Sequence, residues 1–184
     1  MSSSIWTALS ASVRGDLHEK IGQKNQDAVR LRNPSGSGDA LFLAVSDGHG
    51  SSRSFRSDRG SVLATECALR MLRRFILRHG AGASLSSIRR QAKMKWPQAL
   101  IAEWKKAVRT DVMAHPFSPL DFAAFPEPAP MIKPGDDLPG SAYLAYGATF
   151  IAVAITRRYI LYVHRHKRSK YPRRPTGHTG YSGG

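Results

Sequence analysis

Apolar positions along the chain follow two periods. Ala28 to Leu31 reads as a short strand, and Ala40 to Ser46 (Ala-Leu-Phe-Leu-Ala-Val-Ser) is a continuous apolar run expected of a buried central strand. Between them Asn33 to Asp39 is turn chemistry throughout, so the two strands predict an antiparallel hairpin. Ile5 to Val13 mixes apolar with small polar residues and predicts an earlier strand, ended by Gly15-Asp16. From Ser61 to Arg78 the period becomes helical: Thr65, Ala68, Leu69, Leu72, Phe75 and Ile76 recur at three- and four-residue steps, with Arg70, Arg73, Arg74 and Arg78 on another face. Gly80 and Gly82 are the expected stop, and Ser84 or Ser86 caps a second helical region. There Pro97 suits a first turn, and Leu100, Ile101, Trp104, Val108 and Val112 form one stripe that His115-Pro116 ends. Residues 116–140 hold seven prolines and predict a long loop. Strands resume at Ala145 to Thr156 and Tyr159 to Val163, with Arg157-Arg158 as a hairpin turn. Strands, then long helices, then strands is an α+β order rather than an alternating βαβ one.

The chain has 184 residues, enough for one domain with a core. Its 28 Lys/Arg against 13 Asp/Glu give a net charge of +15, a balance that favours nucleic acid or an anionic surface. Six of those cations lie in residues 164–184, which hold no acid and no apolar pattern. The remainder carries 22 basic and 13 acidic residues, so the tail inflates the total. Residues 1–163 are therefore expected to form the folded part, and 164–184 a basic tail, either disordered or read out of frame. Base-reading motifs are absent, which makes nucleic acid an unlikely partner. The single cysteine, Cys67, excludes an internal disulfide and argues against a cysteine zinc site. The longest apolar stretch, Ala142 to Ile155, is too short and mixed to span a bilayer, and the N-terminus lacks signal-peptide character; a cytoplasmic protein is expected.

Candidate chemistry concentrates at strand ends. Asp47-Gly48-His49-Gly50 follows the central strand: a carboxylate supplies hard oxygen ligands, a glycine lets its carbonyl approach an ion, and a histidine can pass a proton to a leaving oxygen. A turn that merely contains these residues would look the same. Asn25-Gln26-Asp27 before the second strand and Tyr146-Gly147-Ala148-Thr149 before a later one are weaker signals of the same kind. A dinucleotide loop at Gly48-x-Gly50 is disfavoured, since Arg53 occupies the third glycine position and no βαβ unit follows. Ser51-Ser52 lacks the strand–turn–helix elbow of a nucleophilic serine. The arginines of the first long helix read as a solvated face, and Trp96 and Trp104 as core.

In order, Ser12-Val13-Arg14-Gly15, His18, Gly22 to Ala28, Phe42 to Gly50 and Tyr146 to Thr149 resemble the metal-dependent protein phosphatase family (PPM), in its bacterial form, over about residues 6–163. The resemblance implies a β-sandwich flanked by helix pairs, with two Mn or Mg ions at one end that activate a water against a phosphoserine or phosphothreonine phosphoprotein. It implies that Asp47 bridges the ions, that the Gly48 carbonyl binds one, that His49 is the general acid, and that Asp27 is an acid holding the metal-bound waters. The chain departs from the family pattern at Gln26, where many members carry Glu, and at Gly22, where many carry a phosphate-gripping Arg; His18 or Arg14 could serve instead. It departs most after Val163, where a Gly-Asp turn, further strands and further aspartates are expected but no acid follows Asp137. The fold is thus expected to be incomplete at the C-terminus and the activity impaired. The alternative functions are a non-catalytic phosphatase-like module that binds partners and, ranked last, a basic nucleic-acid binder.

Overall fold

A computed structural model describes residues 6, 8–32, 40–79, 82–122 and 137–165. Its elements are α1 (Asp16–Lys20), β1 (Ala28–Arg32), β2 (Leu41–Ser46), a 3-10 turn (Ser52–Ser54), α2 (Ser57–His79), α3 (Leu85–Met94), α4 (Trp96–Ala114), α5 (Pro119–Phe122), α6 (Gly140–Ala145), β3 (Phe150–Ile155) and β4 (Ile160–Arg165). Among the described residues the strands form one antiparallel sheet in the order β1-β2-β3-β4. The order of strands, helices and strands is as the sequence predicts. Among the described residues no helix is long and apolar enough to cross a membrane.

Strand alternation decides which face is covered. Phe42, Ala44, Ala152 and Ala154 point to the helical side, where they meet Cys67, Ala68, Leu69, Leu72 and Ile76 of α2, with Trp96 and Leu100 of α4 completing the cluster. The alanines matter because they let the 23-residue α2 lie close to the sheet. Leu43, Val45, Ile151, Val153 and Tyr162 alternate onto the other face. Val45 and Ile151 are about half exposed there, at 48% and 50%. A second cluster joins Val108 and Val112 of α4 to Phe117, Leu138 and Ala142, Tyr143, Ala145 and Tyr146 around α6.

Three expectations are corrected. Residues 8–15, expected to finish a strand, form no regular element, and α1 follows instead. That segment makes no ladder contact, so its alternation is not stabilised by a partner strand. Ala145, expected to open a strand, instead closes α6: Ala142, Tyr143, Ala145 and Tyr146 are buried at helical spacing, and the strand begins only at Phe150. Within the expected loop, α5 is a single turn opened by Ser118 and Asp121, each accepting from the other's backbone N–H (2.8 and 3.3 Å). The Asn33–Asp39 turn, Gly80 and residues 166–184 of the tail lie outside the described residues, as does 123–136 of the Pro-rich stretch. The cap on α3 is Ser84, whose Oγ accepts from the Ser87 N–H at 3.3 Å.

Among the described glycines, Gly60 of α2 has the least room for a side chain, against the end of α6. A Cβ at Gly60 would lie 2.0 Å from the Tyr146 carbonyl oxygen. Gly60→Ala is expected to destabilise the protein by about 1–3 kcal/mol or more in urea unfolding, despite alanine's better helix propensity. Gly82→Ala, where a Cβ would meet nothing within 4 Å, should stay within about 0.5 kcal/mol of the parent.

Candidate functional site

The sheet register gathers the three sequence features at one end. Ala28 pairs with Ser46, so one step further the same register sets Asp27 opposite Asp47 and Gln26 opposite Gly48. The Gly48 backbone does lie against Gln26: a Cβ there would fall 2.5 Å from the Gln26 carbonyl oxygen and 3.1 Å from the Ser57 Cβ. Only glycine fits. On the other side, the β2–β3 ladder continues past its strands. Thr149 N–H donates to the Asp47 carbonyl at 2.8 Å, Gly48 bridges Ala148, and His49 N–H donates to the Gly147 carbonyl at 3.0 Å. The Ser46 hydroxyl also donates to the Thr149 carbonyl. Antiparallel alternation then turns Gly48's own N–H and C=O away from Ala148, toward the β1 side. Asp47 is thereby held on both flanks by backbone, with Asp27 beside it.

The charges around this end are unusual for the chain. Ten acidic residues are described, and eight of them form ion pairs: Asp16, Glu19, Asp58, Glu66, Glu103, Asp111, Asp121 and Asp137. Asp27 and Asp47 are the two that do not, and both are exposed. Like charges opposed across a strand pair are destabilising without a cation between them. Two carboxylates and the Gly48 carbonyl supply about half of the roughly six oxygens that Mg2+ or Mn2+ takes, water completing the shell. Among the described residues no three His, Cys, Asp or Glu side chains cluster as metal ligands. The donors present fit one well-hydrated hard cation; they do not fit two.

His49 is half-buried and turns toward the helices. Its Nδ1 lies where a Gly147 Cβ would come within 2.6 Å, so Gly147 clears room for the ring. The imidazole joins Trp104, Lys105, Tyr143 and His164 around a cavity of about 750 Å3. No hydrogen bond or ion pair joins it to Asp27 or Asp47 among the described residues. Gly22, which replaces an expected arginine, has a local reason. With φ of +69° it closes α1 in the left-handed conformation, its N–H donating to the Glu19 carbonyl (3.1 Å) and the Gln23 N–H to the His18 carbonyl (2.8 Å). Arg14 is engaged by Glu19 at 3.4 Å. The Gln26 amide oxygen faces Gly50, 3.5 Å from where its Cβ would be.

A polar joint that the sequence does not announce sits behind this end. Arg59 grips Asp111 through two hydrogen bonds (2.7 and 2.6 Å), and the Tyr146 hydroxyl donates to the same carboxylate at 2.6 Å. Arg56 donates to the Tyr146 hydroxyl (3.0 Å), to the His115 and Pro116 carbonyls (2.6 and 2.9 Å) and to Asp121 (3.0 Å), and it stacks over Phe117. Burial pushes the Asp111 carboxyl up, but the hydrogen bonds from Arg59 and Tyr146 outweigh it and leave it below the ordinary value. Burial, reinforced by the bond to Asp111, pushes the Tyr146 hydroxyl up to about 12. Asp111 falls on the apolar stripe of α4, three residues after Val108, but nothing local in the sequence points to Arg59 as its partner.

The antiparallel sheet with α2 and the α3–α4 pair packed on one of its faces defines an α+β domain. Residues 14–164 match the family model described as Protein phosphatase 2C, and the chain belongs to that family. Searches of the curated proteins and of the solved structures returned no match.

The joint's titration has a definite sign. The Tyr146 hydroxyl holds its proton better folded than unfolded, so its contribution is full below about pH 10 and lost as pH rises from 10 toward 12. Tyr146→Phe should cost about 1–3 kcal/mol at pH 7 and flatten that alkaline loss, measured by urea unfolding across pH 7–12.

Proposed function

We propose that the chain is a metal-dependent phosphatase acting on phosphoserine or phosphothreonine in proteins. The observation that carries this reading is the pair of opposed, unpaired carboxylates, Asp27 and Asp47, in a cation-rich chain whose other described acids are all paired. Membership of the protein phosphatase 2C family supports it.

In this reading Asp47, the Gly48 carbonyl and Asp27 hold Mn2+ or Mg2+. When bound, the ion lowers the pKa of water and offsets charge on the phosphoryl oxygens. Asp27 accepts a hydrogen bond from the attacking water and orients it. As the water oxygen bonds to phosphorus and the phosphorus–oxygen bond to the side chain breaks, the departing serine or threonine oxygen takes a proton, and His49 would supply it once its ring turns out of the helical cavity toward Asp27 and Asp47. The apolar sheet face bearing Val45 and Ile151 is the surface that the second sheet of a two-sheet sandwich would cover. A second reading, a non-catalytic partner-binding module, is favoured by one observation: no third metal-ligating side chain accompanies the two carboxylates among the described residues.

The two readings separate by metal titration. Mn2+ should raise the melting temperature of the parent saturably and support hydrolysis of a phosphothreonine peptide. Asp47→Asn should abolish the shift and lower hydrolysis by at least about a hundredfold. Without metal, relief of repulsion should leave the variant as stable as the parent or up to about 1 kcal/mol more stable. A melting temperature indifferent to Mn2+, with no hydrolysis, would hand the chain to the non-catalytic reading.

A further inference from the structure

β4 is the last strand of the sheet among the described residues, and it reaches past the helix that covers the other three. α2 lies over β1, β2 and β3; beside β4 the sheet and the α3–α4 pair part to leave a cavity of about 740 Å3. Its floor and walls are apolar: Ile88, Trp96, Leu100, Leu161 and Val163 line it. The charged side chains on its rim are Arg89 and Lys93, both exposed, and among the described residues no acid lines it. Arg157 and Arg158 form the turn at the β3–β4 end. The wall is also incompletely satisfied, since Trp96 Nε1 and Tyr159 Oη are buried without hydrogen-bond partners.

The strand beside this groove offers a backbone edge. Thr156 N–H donates to the Tyr159 carbonyl at 3.0 Å, which makes that pair a hydrogen-bonded one at the mouth of the hairpin. Alternation from that pair directs the backbone groups of Leu161 and Val163 toward β3 and those of Ile160, Tyr162 and His164 outward. Ile160 and Tyr162 are exposed at 65% and 68%. The edge strand carries neither lysine nor proline, the residues that usually blunt such an edge. An apolar groove flanking an open strand edge is the arrangement that receives an extended peptide by strand addition: the ladder supplies affinity, and alternate side chains entering the groove supply specificity.

We propose that β4 and the α3–α4 groove dock an extended acidic segment of a partner protein, which adds as a fifth strand whose groove-facing side chains are aliphatic over the apolar floor and acidic where they meet Arg89 and Lys93. Charge selects this occupant over the others. A second copy of a chain carrying +15 would bring cations onto a cationic rim. The chain's own residues 166–184 hold five Lys/Arg and no acid, and would do the same. The groove shares Leu100, Ile101, Phe150 and His164 with the cavity beside His49, so a docked strand would run toward the carboxylate-bearing end. The docking itself does not depend on catalysis there.

The test uses the full chain and a fluorescent nine-residue peptide whose odd-numbered positions alternate isoleucine with glutamate and whose even-numbered positions are threonine, so that both side-chain types face the groove. Anisotropy should show saturable binding at low salt that weakens as salt rises. Methylating alternate peptide amides, which removes ladder hydrogen bonds, should abolish binding. Arg89→Glu with Lys93→Glu, both at exposed positions, should weaken it about tenfold and improve binding of the lysine-for-glutamate peptide. Hydrogen exchange should slow at the amides of Ile160, Tyr162 and His164 on binding. Equal binding of the methylated peptide, indifference to the charge reversal, absence of binding at low salt, or protection that falls elsewhere would each overturn the proposal. Protection of those three amides in the free chain would overturn it too: growing with protein concentration, it would give the edge to a second copy, and vanishing on removal of residues 166–184, to the chain's own tail.

Discussion

The bidentate pair of Arg59 and Asp111, with Tyr146 closing on the same carboxylate, fastens three elements that are distant in sequence. Arg59 belongs to the first turn of α2, Asp111 to the last turn of α4, and Tyr146 follows α6 and leads directly into the Gly147-Ala148-Thr149 segment that flanks Asp47. Charge-assisted bidentate hydrogen bonds are among the stronger polar contacts available, and here Asp111 is largely covered while Arg59 stays partly in solvent. The joint therefore does more than stabilise. It fixes where α2 begins, and through the Gly60–Tyr146 approach it fixes where the Tyr146 backbone lies. The neighbouring strand start then has little freedom in how it meets the end of β2.

This explains how much of the fold could be read in advance. α2, α4 and the hairpins carry strong periodic signals, because their apolar faces are buried against a single continuous partner, and their boundaries fall within a few residues of expectation. α6 was concealed because its six residues lead into β3 through Gly147, and a helix buried over one and a half turns looks like the start of an apolar strand. The stretch before α1 misled for the opposite reason: its alternation is real, but among the described residues no strand pairs with residues 8–15 to use it. The candidate site's placement was legible in its acids and glycines. Asp27 and Asp47 stand at strand ends, where the register that opposes them follows from the hairpin. The joint was not legible, since a bidentate Arg–Asp pair separated by 52 residues leaves no local pattern.

Charge pairing gives the site its contrast. Arginine and lysine outnumber acids about two to one, so an exposed carboxylate in this chain readily finds a cation. Lys24 shows how near one comes: it lies three residues from Asp27 yet pairs with Asp58 on α2 at 3.4 Å. Arg30, three residues on the other side, pairs with Glu66. Both cations flanking Asp27 in sequence are drawn to the helical side of the sheet, while alternation sends the side chains of Asp27 and Asp47 to the other face. The vacancy of counter-charge follows from strand geometry and the positions of two acids on α2, not from a shortage of bases.

The same geometry separates what holds the site from what the site could bind. Gly48, Gly60 and Gly147 each sit where a Cβ would strike backbone or a neighbouring side chain within 3 Å, at Gln26, Tyr146 and His49 respectively. Gly48 meets the β1 leader and Gly60 meets Tyr146 through backbone, Gly147 meets the His49 ring, and all three contacts leave the carboxylates of Asp27 and Asp47 outside the packing. Removing a carboxylate subtracts a charge and a repulsion without opening a cavity, whereas adding a methyl group at any of the three glycines must displace a main chain or the His49 ring. The candidate ligand atoms and the atoms that pack the fold are different here. That is the condition under which a loss of metal response in Asp47→Asn can be read as loss of a ligand rather than loss of the structure.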